Sequence, residues 1–352
     1  DIILKGGKES DKTNVVIGGN SSTVTNINKI QGQGVYTNVF IDALTSIAEG
    51  IDNVDRVSVT GETTIGKNLT NIDKLEAGNK LNVAGNLENV KDIAIASGDV
   101  TVGGSITGTD NISSVSGSLS VQSGLDKVKQ IIAHSSDINL KGGIANTDKL
   151  PLVEGSNLTT SGSGLQSIKE ITLAASKAVI DGAITSGDSL TMVNGSELSA
   201  SGSLDQIKDI TLSASKATIG GGVNGTTSLA LVSKSELNTS GALNDVQKVT
   251  VHDSKASIGG GISGTDTIAL TGGSDLKTQG GIDRVKEVLM AGSTANVGGA
   301  INGAETVIVT GKSELNTTNG GLEQVKNITL MDSKATIGGG INNSDSLTLA
   351  SG

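Results

Sequence analysis

The sequence predicts an all-β chain, a single elongated parallel β-solenoid (β-helix) of about 18 rungs with roughly 19 to 20 residues in each. Three observations carry this expectation. A motif recurs through most of the chain, with copies beginning at Ile51, Leu87, Leu125, Leu165, Leu204, Leu243, Ile282 and Leu322, so that successive starts lie 36, 38, 40, 39, 39, 39 and 40 residues apart. Each copy is itself doubled. Ile210-Thr-Leu212 followed by Ser215-Lys-Ala-Thr-Ile219 is echoed by Leu229-Ala-Leu231 followed by Ser233-Lys-Ser-Glu-Leu237. The structural unit is therefore half the period, a size at which one unit cannot bury its own apolar face and must stack on its neighbours. Composition is the third observation: 50 glycines against one proline, no Trp, one Tyr and one Phe suit a narrow core lined by Val, Ile, Leu and Ala.

Along the chain, residues 1–50 read as irregular first rungs. Ile2-Ile-Leu4 and Val15-Val-Ile17 have strand character, and each is followed by a Gly pair. Phe40, Leu44 and Ile47 stand at helical spacing with Gly50 as a stop, which predicts a short amphipathic helix near 36–49, packed on the solenoid or projecting as a partner-docking insertion. From 51 to 352 the 39-residue double rungs take over. Alternating β-branched residues, as in Ile171-Thr-Leu173 and Val249-Thr-Val251, favour short strands with one face inward. A helical array is disfavoured, since frequent Gly and β-branched residues each cost about 0.5 to 1 kcal/mol in a helix. The glycine groups Gly220–Gly222, Gly259–Gly261 and Gly338–Gly340 are expected to mark a corner that needs backbone conformations closed to other residues. The chain begins at Asp1 without a signal-peptide pattern and stops at Gly352 inside a repeat, so a fragment truncated at its C-terminus is expected.

Stacking in register turns repeat positions into columns. One column holds Lys91, Lys129, Lys169, Lys208, Lys286 and Lys326, with Gln247 and Asp55 in the same slot of other copies. A second holds Lys177, Lys216, Lys255 and Lys334, and its half-repeat partner supplies Glu197, Glu236, Asp275 and Glu314. A cationic binding stripe is one reading. The other is a set of solvated rungs whose opposite charges interleave and limit edge aggregation.

Candidate chemistry is sparse. No Cys is present, which removes disulfides, thiol catalysis and cysteine zinc sites. His134 and His252 share a repeat position, yet about six rungs at strand spacing would separate them by roughly 29 Å, too far to share an ion. Asp110, Asp188, Asp266 and Asp345 each precede an apolar strand residue, reminiscent of a calcium-binding repeat, with Thr227 replacing the acid once. One carboxylate per two rungs falls short of the six to eight oxygens calcium takes. Turn-forming Asp is the competing reading, and no catalytic, cofactor-binding or assigned metal residue emerges. Asn157, Asn194 and Asn316 begin Asn-x-Ser/Thr sequences that such a composition produces by chance. A formal charge of −10, with Arg56 and Arg284 the only arginines, argues against nucleic acid. No apolar run approaches a membrane span.

The phrases LDQIKDITLSASKATIGGG and GTDTIALTGGSDL resemble those of bacterial surface-layer proteins and large secreted adhesins, over roughly Ile51 to Ala350. SGSLSVQSG at Ser116–Gly124 and NKLNVAGNL at Asn79–Leu87 are similar to filamentous-haemagglutinin-type adhesins, which use repeats of about 20 residues in a β-helix. The resemblance implies a secreted structural protein of the bacterial cell surface, often calcium-dependent. The expected function is a rod-like subunit of a surface layer or fibre, or the stalk of an adhesin, and not an enzyme. Its expected partners are copies of itself or neighbouring subunits, with cell-surface polysaccharide as a further candidate.

Overall fold

The computed structural model describes residues 1–19 and 22–350, and within them the chain is an all-β parallel β-solenoid with about 17 turns and no helix. It divides into two compact units. The first comprises Asp1–Lys169 and Ser176–Asp181; the second comprises Glu170–Ala175 and Gly182–Gly352.

In the first unit each regular rung pairs a long strand with a short one. Ile51–Val59, Leu69–Ala77, Leu87–Ala96, Ile106–Val115, Leu125–His134 and Ile144–Val153 are the long strands, and Thr63–Ile65, Leu81–Val83, Asp99–Val102, Ser118–Val121, Asp137–Leu140 and Asn157–Thr160 follow them. Like strands stack in parallel, with Ile51 opposite Leu69, Leu69 opposite Leu87 and Leu87 opposite Ile106. Those steps are 18, 18 and 19 residues, which is why the early copies are shorter than 39. In the second unit Leu204 pairs with Val223 and Val223 with Leu243, steps of 19 and 20 that sum to the 39-residue period.

Alternation along each strand decides which side chains go inward. In the rung that starts at Leu204, the residues Leu204, Ile207, Ile210, Leu212, Ala217 and Ile219 are all at 1 % exposure or less. Each large one gains about 1.5 to 3 kcal/mol by leaving water, and each finds its counterpart in the rungs on either side.

Two backbone devices bend the chain. The third residue of every regular rung, counted from the first residue of its long strand, is left-handed. From Val223 onward it interrupts that strand, as between Val223–Asn224 and Ser228–Val232. Ser186, Gln206, Gly225, Asp245, Gly264, Arg284, Gly303, Gln324 and Asn343 form this column in the second unit, with φ between 52° and 72°. At the non-glycine positions that conformation costs about 1 to 2 kcal/mol, and stacking against equal bends in the adjacent rungs holds it. The expectation holds at Gly340, where φ is 90°, but two of the glycine triplets work differently: Gly220–Gly222 and Gly259–Gly261 lie outside the left-handed region. Space is the constraint there, because a Cβ on Gly220 would stand 2.2 Å from the Ser201 carbonyl oxygen and one on Gly222 would stand 2.2 Å from that of Ala242.

The helix expected near 36–49 is corrected by the structure. Thr37–Ile41 and Thr45–Ile47 are strands, with Val39, Ile41 and Ile47 fully buried. Of Phe40, Leu44 and Ile47, which stand at helical spacing, only Ile47 is on the buried face; the strand alternation at 37, 39, 41 and at 45, 47 sets that face instead. Parallel partners on both sides, Val15 and Val57 opposite Val39, decide in favour of the strand. Residues 1–50 thus form two irregular first rungs, Ile2–Lys5, Thr13–Ile17 and Thr25–Ile27 followed by Ile30–Gln33, Thr37–Ile41 and Thr45–Ile47. Of the repeat range 51–352, residues 351 and 352 lie outside the described residues.

Candidate functional surface

Stacking merges two sets of residues that the sequence presents separately. The lysines of one half-repeat and the acids of the other occupy one column, the fifth position of the long strand. In the first unit it runs Asp55, Asp73, Lys91, Asp110, Lys129, Asp148, Lys169. Lys91 Nζ lies 2.5 Å from Asp73 Oδ1, Lys129 Nζ 2.6 Å from Asp110 Oδ1, and Lys169 Nζ 2.6 Å from Asp148 Oδ1. In the second unit the ladder is Asp188, Lys208, Thr227, Gln247, Asp266, Lys286, Glu305, Lys326, Asp345, with Lys208 2.5 Å from Asp188, Lys286 2.6 Å from Asp266 and Lys326 3.6 Å from Glu305. Thr227 and Gln247 occupy successive rungs of this ladder. Both partners have lost their charge together, the substitution pattern of a pair rather than of two independent positions.

The first position of the short strand forms a second ladder. In register stand Glu197, Lys216, Glu236, Lys255, Asp275, Thr294, Glu314 and Lys334. Lys216 reaches Glu236 at 3.3 Å and Lys334 reaches Glu314 at 3.1 Å. In the first unit Lys80 pairs with Glu62 at 2.8 Å and Lys67 with Glu49 at 2.6 Å. These lysines are not a cationic stripe, since each pair is neutral overall. The hydrogen bond to the acid, and then its charge, raise the lysine pKa at Lys91, Lys129, Lys208 and Lys286. All are exposed, so their contribution to stability is screened.

Asp110, Asp188 and Asp266, considered as calcium ligands, are therefore the acceptors of the lysine ladder. Among the described residues no three of His, Cys, Asp or Glu gather where they could hold a metal ion. His134 and His252 stay solvent-facing with separate partners: His134 Nε2 lies 3.0 Å from Glu154 Oε2, and His252 Nδ1 lies 2.9 Å from Thr271 Oγ1. Asn157 and Asn316 spend their amides on the column, donating to Asp137 and Asn296, while Asn194 occupies a left-handed corner beside Gly195. Phe40 faces outward on its strand beneath the Arg56 guanidinium, 5.6 Å from the ring centroid.

One ionic cluster is more enclosed. Glu76 accepts from Arg56 Nε at 2.7 Å and from a second guanidinium nitrogen, and lies 2.7 Å from Lys74 Nζ. Burial by itself would raise its pKa. The hydrogen bonds from Lys74 and Arg56 and their charges outweigh that and lower it. A carboxylate held below its unfolded value contributes stability at pH above about 4.5, and that stability is lost as pH falls through the lower, folded value. Glu76→Gln should therefore lower the melting temperature at pH 6, and the difference should shrink as pH falls below about 4.5, as followed by circular dichroism.

A buried spine of serines was not foreseen. Ser136, Ser156, Ser196, Ser215, Ser235, Ser254, Ser274, Ser293 and Ser313 stand at the corner between long and short strands, all at 5 % exposure or less. Each hydroxyl donates to a carbonyl two or three residues earlier, as Ser215 does to Ser213 at 2.9 Å and Ser235 to Val232 at 2.6 Å. The same oxygen accepts a backbone N–H from the rung before: Ser215 N donates to Ser235 Oγ, Ser235 N to Ser254 Oγ and Ser293 N to Ser313 Oγ. Rungs of 19 residues use the shorter reach and rungs of 20 or 21 the longer, which locates one extra residue at this corner. The recurrence of Ser215, Ser235 and Ser254 two places before the first buried residue of each short strand was the available signal.

Two open clefts lie over charged pairs. One of about 430 Å³ lies over Lys29, Glu49, Asp52 and Lys67, and one of about 440 Å³ over Asn53, Asp55, Asn71, Asp73 and Lys91. Among the described residues no helix is long and apolar enough to cross a membrane. No protein-family model, curated protein or solved structure matches the chain.

Proposed function

We propose that this chain is a structural, non-enzymatic protein of the bacterial cell surface, a rod-like subunit of an extracellular surface layer or surface fibre. One observation carries the reading. In each unit the charged side chains pair from rung to rung along columns, Lys208 with Asp188 and Lys286 with Asp266 among them, so the chemistry of the surface holds neighbouring rungs together instead of converging on a substrate. Backbone hydrogen bonds and the serine spine tie the same rungs, which favours stiffness. Neighbouring copies are the proposed partners, and an uncharged cell-surface polysaccharide is the further candidate.

Immunogold microscopy of the source cells with an antibody to the chain tests this. The expected result is label on an ordered sheet or on filaments, both lost on gene deletion. Label along isolated filaments alone would favour the adhesin-stalk form of the proposal. A bare cell surface with the protein free in the medium would reject it.

A further inference from the structure

The sheet of long strands in the second unit presents an outward face with an uncharged strip. Positions six, eight and ten of the rungs, counted from the first residue of the long strand, point away from the core, because seven and nine are buried in every rung from Ile184 to Thr310. Across the rungs from Ile184 to Ala350, positions eight and ten hold no Asp, Glu, Lys or Arg. The registers Ala269 to Leu289 to Ile308 and Thr310 to Met331 run the columns from rung to rung. Val193 and Val232 extend the apolar content toward the start of the unit. The short-strand face differs, since its first position is the Lys and Glu ladder.

From this strip we propose a second copy of the chain as its occupant, packed face to face on the second unit with the two stacks parallel and level; this rests on the surface-subunit reading above. Area supports a self-contact. Nine rungs at about 4.8 Å and a width of about 13 Å give roughly 560 Å² per copy, so about 1,100 Å² in total, above the roughly 1,000 Å² that a specific interface clears.

Charge at the rim selects the arrangement. A two-fold axis along the stack sets each rung against the same rung, and position six of one copy then faces the corner after position ten of the other. Only one rung carries charge at both places, Lys248 and Asp253, and they are opposite in sign. Each Lys248 would meet the partner's Asp253, once on either side of the strip. In the remaining rungs an ionised residue meets a neutral one, as Asp209 meets Ala214, Glu287 meets Gly292 and Lys312 meets Thr306, or both places are neutral, as Ser189 and Asn194 are. At the same level no like charges are brought together, and an isologous contact of this kind closes at two copies.

Sedimentation equilibrium of the full chain from 1 to 200 µM tests the interface. The expected result is a concentration-dependent dimer that Ala269→Glu with Ile308→Glu weakens at least tenfold. Thr218→Glu, on the short-strand face, should leave the dimer intact, and unchanged melting curves would show that all variants fold. Lys248→Asp should weaken association, and Lys248→Asp with Asp253→Lys should restore it. A chain monomeric at 200 µM, or a dimer indifferent to the strip substitutions, overturns the interface. Failure of the swap to restore association overturns the parallel, level arrangement. The surface reading fails separately: a monomeric chain that still labels an ordered surface removes only this interface, whereas a dimer released from bare cells removes only that reading.

Discussion

Leu231→Ala is expected to destabilise the chain by about 3 to 4 kcal/mol in denaturant unfolding, within the range for a buried leucine truncated to a cavity. Leu231 is 0 % exposed and lies between Leu212 in one adjacent rung and Val251 in the other. A rung in a stack has no other core to rely on, so the truncation weakens two interfaces at once, each shared with a single neighbour. Hydrogen exchange should show the consequence locally. Amides of Ser228–Val232 and of the strands that pair with it, Leu204–Ser213 and Lys248–His252, lose protection before those of distant rungs. Ala230→Ser, one residue away but facing out, should stay within about 0.5 kcal/mol of the parent. A Leu231→Ala cost below about 1 kcal/mol would show that this rung does not carry a packed core.

The period of the sequence made the solenoid legible, because the unequal half-repeats are real 19- and 20-residue rungs. Apolar alternation was legible too, as at Ile210, Leu212, Ala217 and Ile219. Local periodicity misled at 36–49, where two of the three residues at helical spacing, Phe40 and Leu44, lie off the buried face of the strands and only Ile47 is buried. Only the parallel partners on both sides of Thr37–Ile41 distinguish strand from helix, and no local window contains those partners. Treating 39 residues as the repeat also hid the charge ladder. Lys208 and Asp188 belong to different halves, and alignment half against half is needed before they fall at one position. The concerted change at Thr227 and Gln247 then becomes readable as the loss of a pair. At Gly222 the constraint is space, hidden for a related reason: the close approach of the Ala242 carbonyl comes from another rung. A column of left-handed backbone lies instead at the third position of the rungs, on Gly225, Gly264 and Gly303 but also on Gln206 and Arg284, residue types that give no such signal in sequence.

Ser235→Ala is expected to cost about 2 to 3 kcal/mol, more than the loss of one methyl-sized polar group would imply, because it strands a buried donor. Ser235 is 1 % exposed. Its hydroxyl donates to Val232 O at 2.6 Å and accepts from Ser215 N at 3.3 Å, while its own N–H donates to Ser254 Oγ at 3.0 Å. Alanine leaves the Ser215 N–H without an acceptor in a corner closed to water and removes one of the two donors to Val232 O, the Ala214 N–H remaining. The link from Ser235 N to Ser254 Oγ survives, so the damage should lie toward Ser215. Ser254→Ala strands the Ser235 N–H in the same way. In the double variant the two losses share residue 235 and should not add, with a coupling of about 0.5 kcal/mol or more. Ser233→Ala, at the exposed residue two places earlier, is the control and should change stability by less than about 0.5 kcal/mol. If Ser235→Ala and Ser233→Ala cost the same, the spine does not hold rung to rung, and the stiffness ascribed to the stack must rest on the strand ladders and the apolar columns alone.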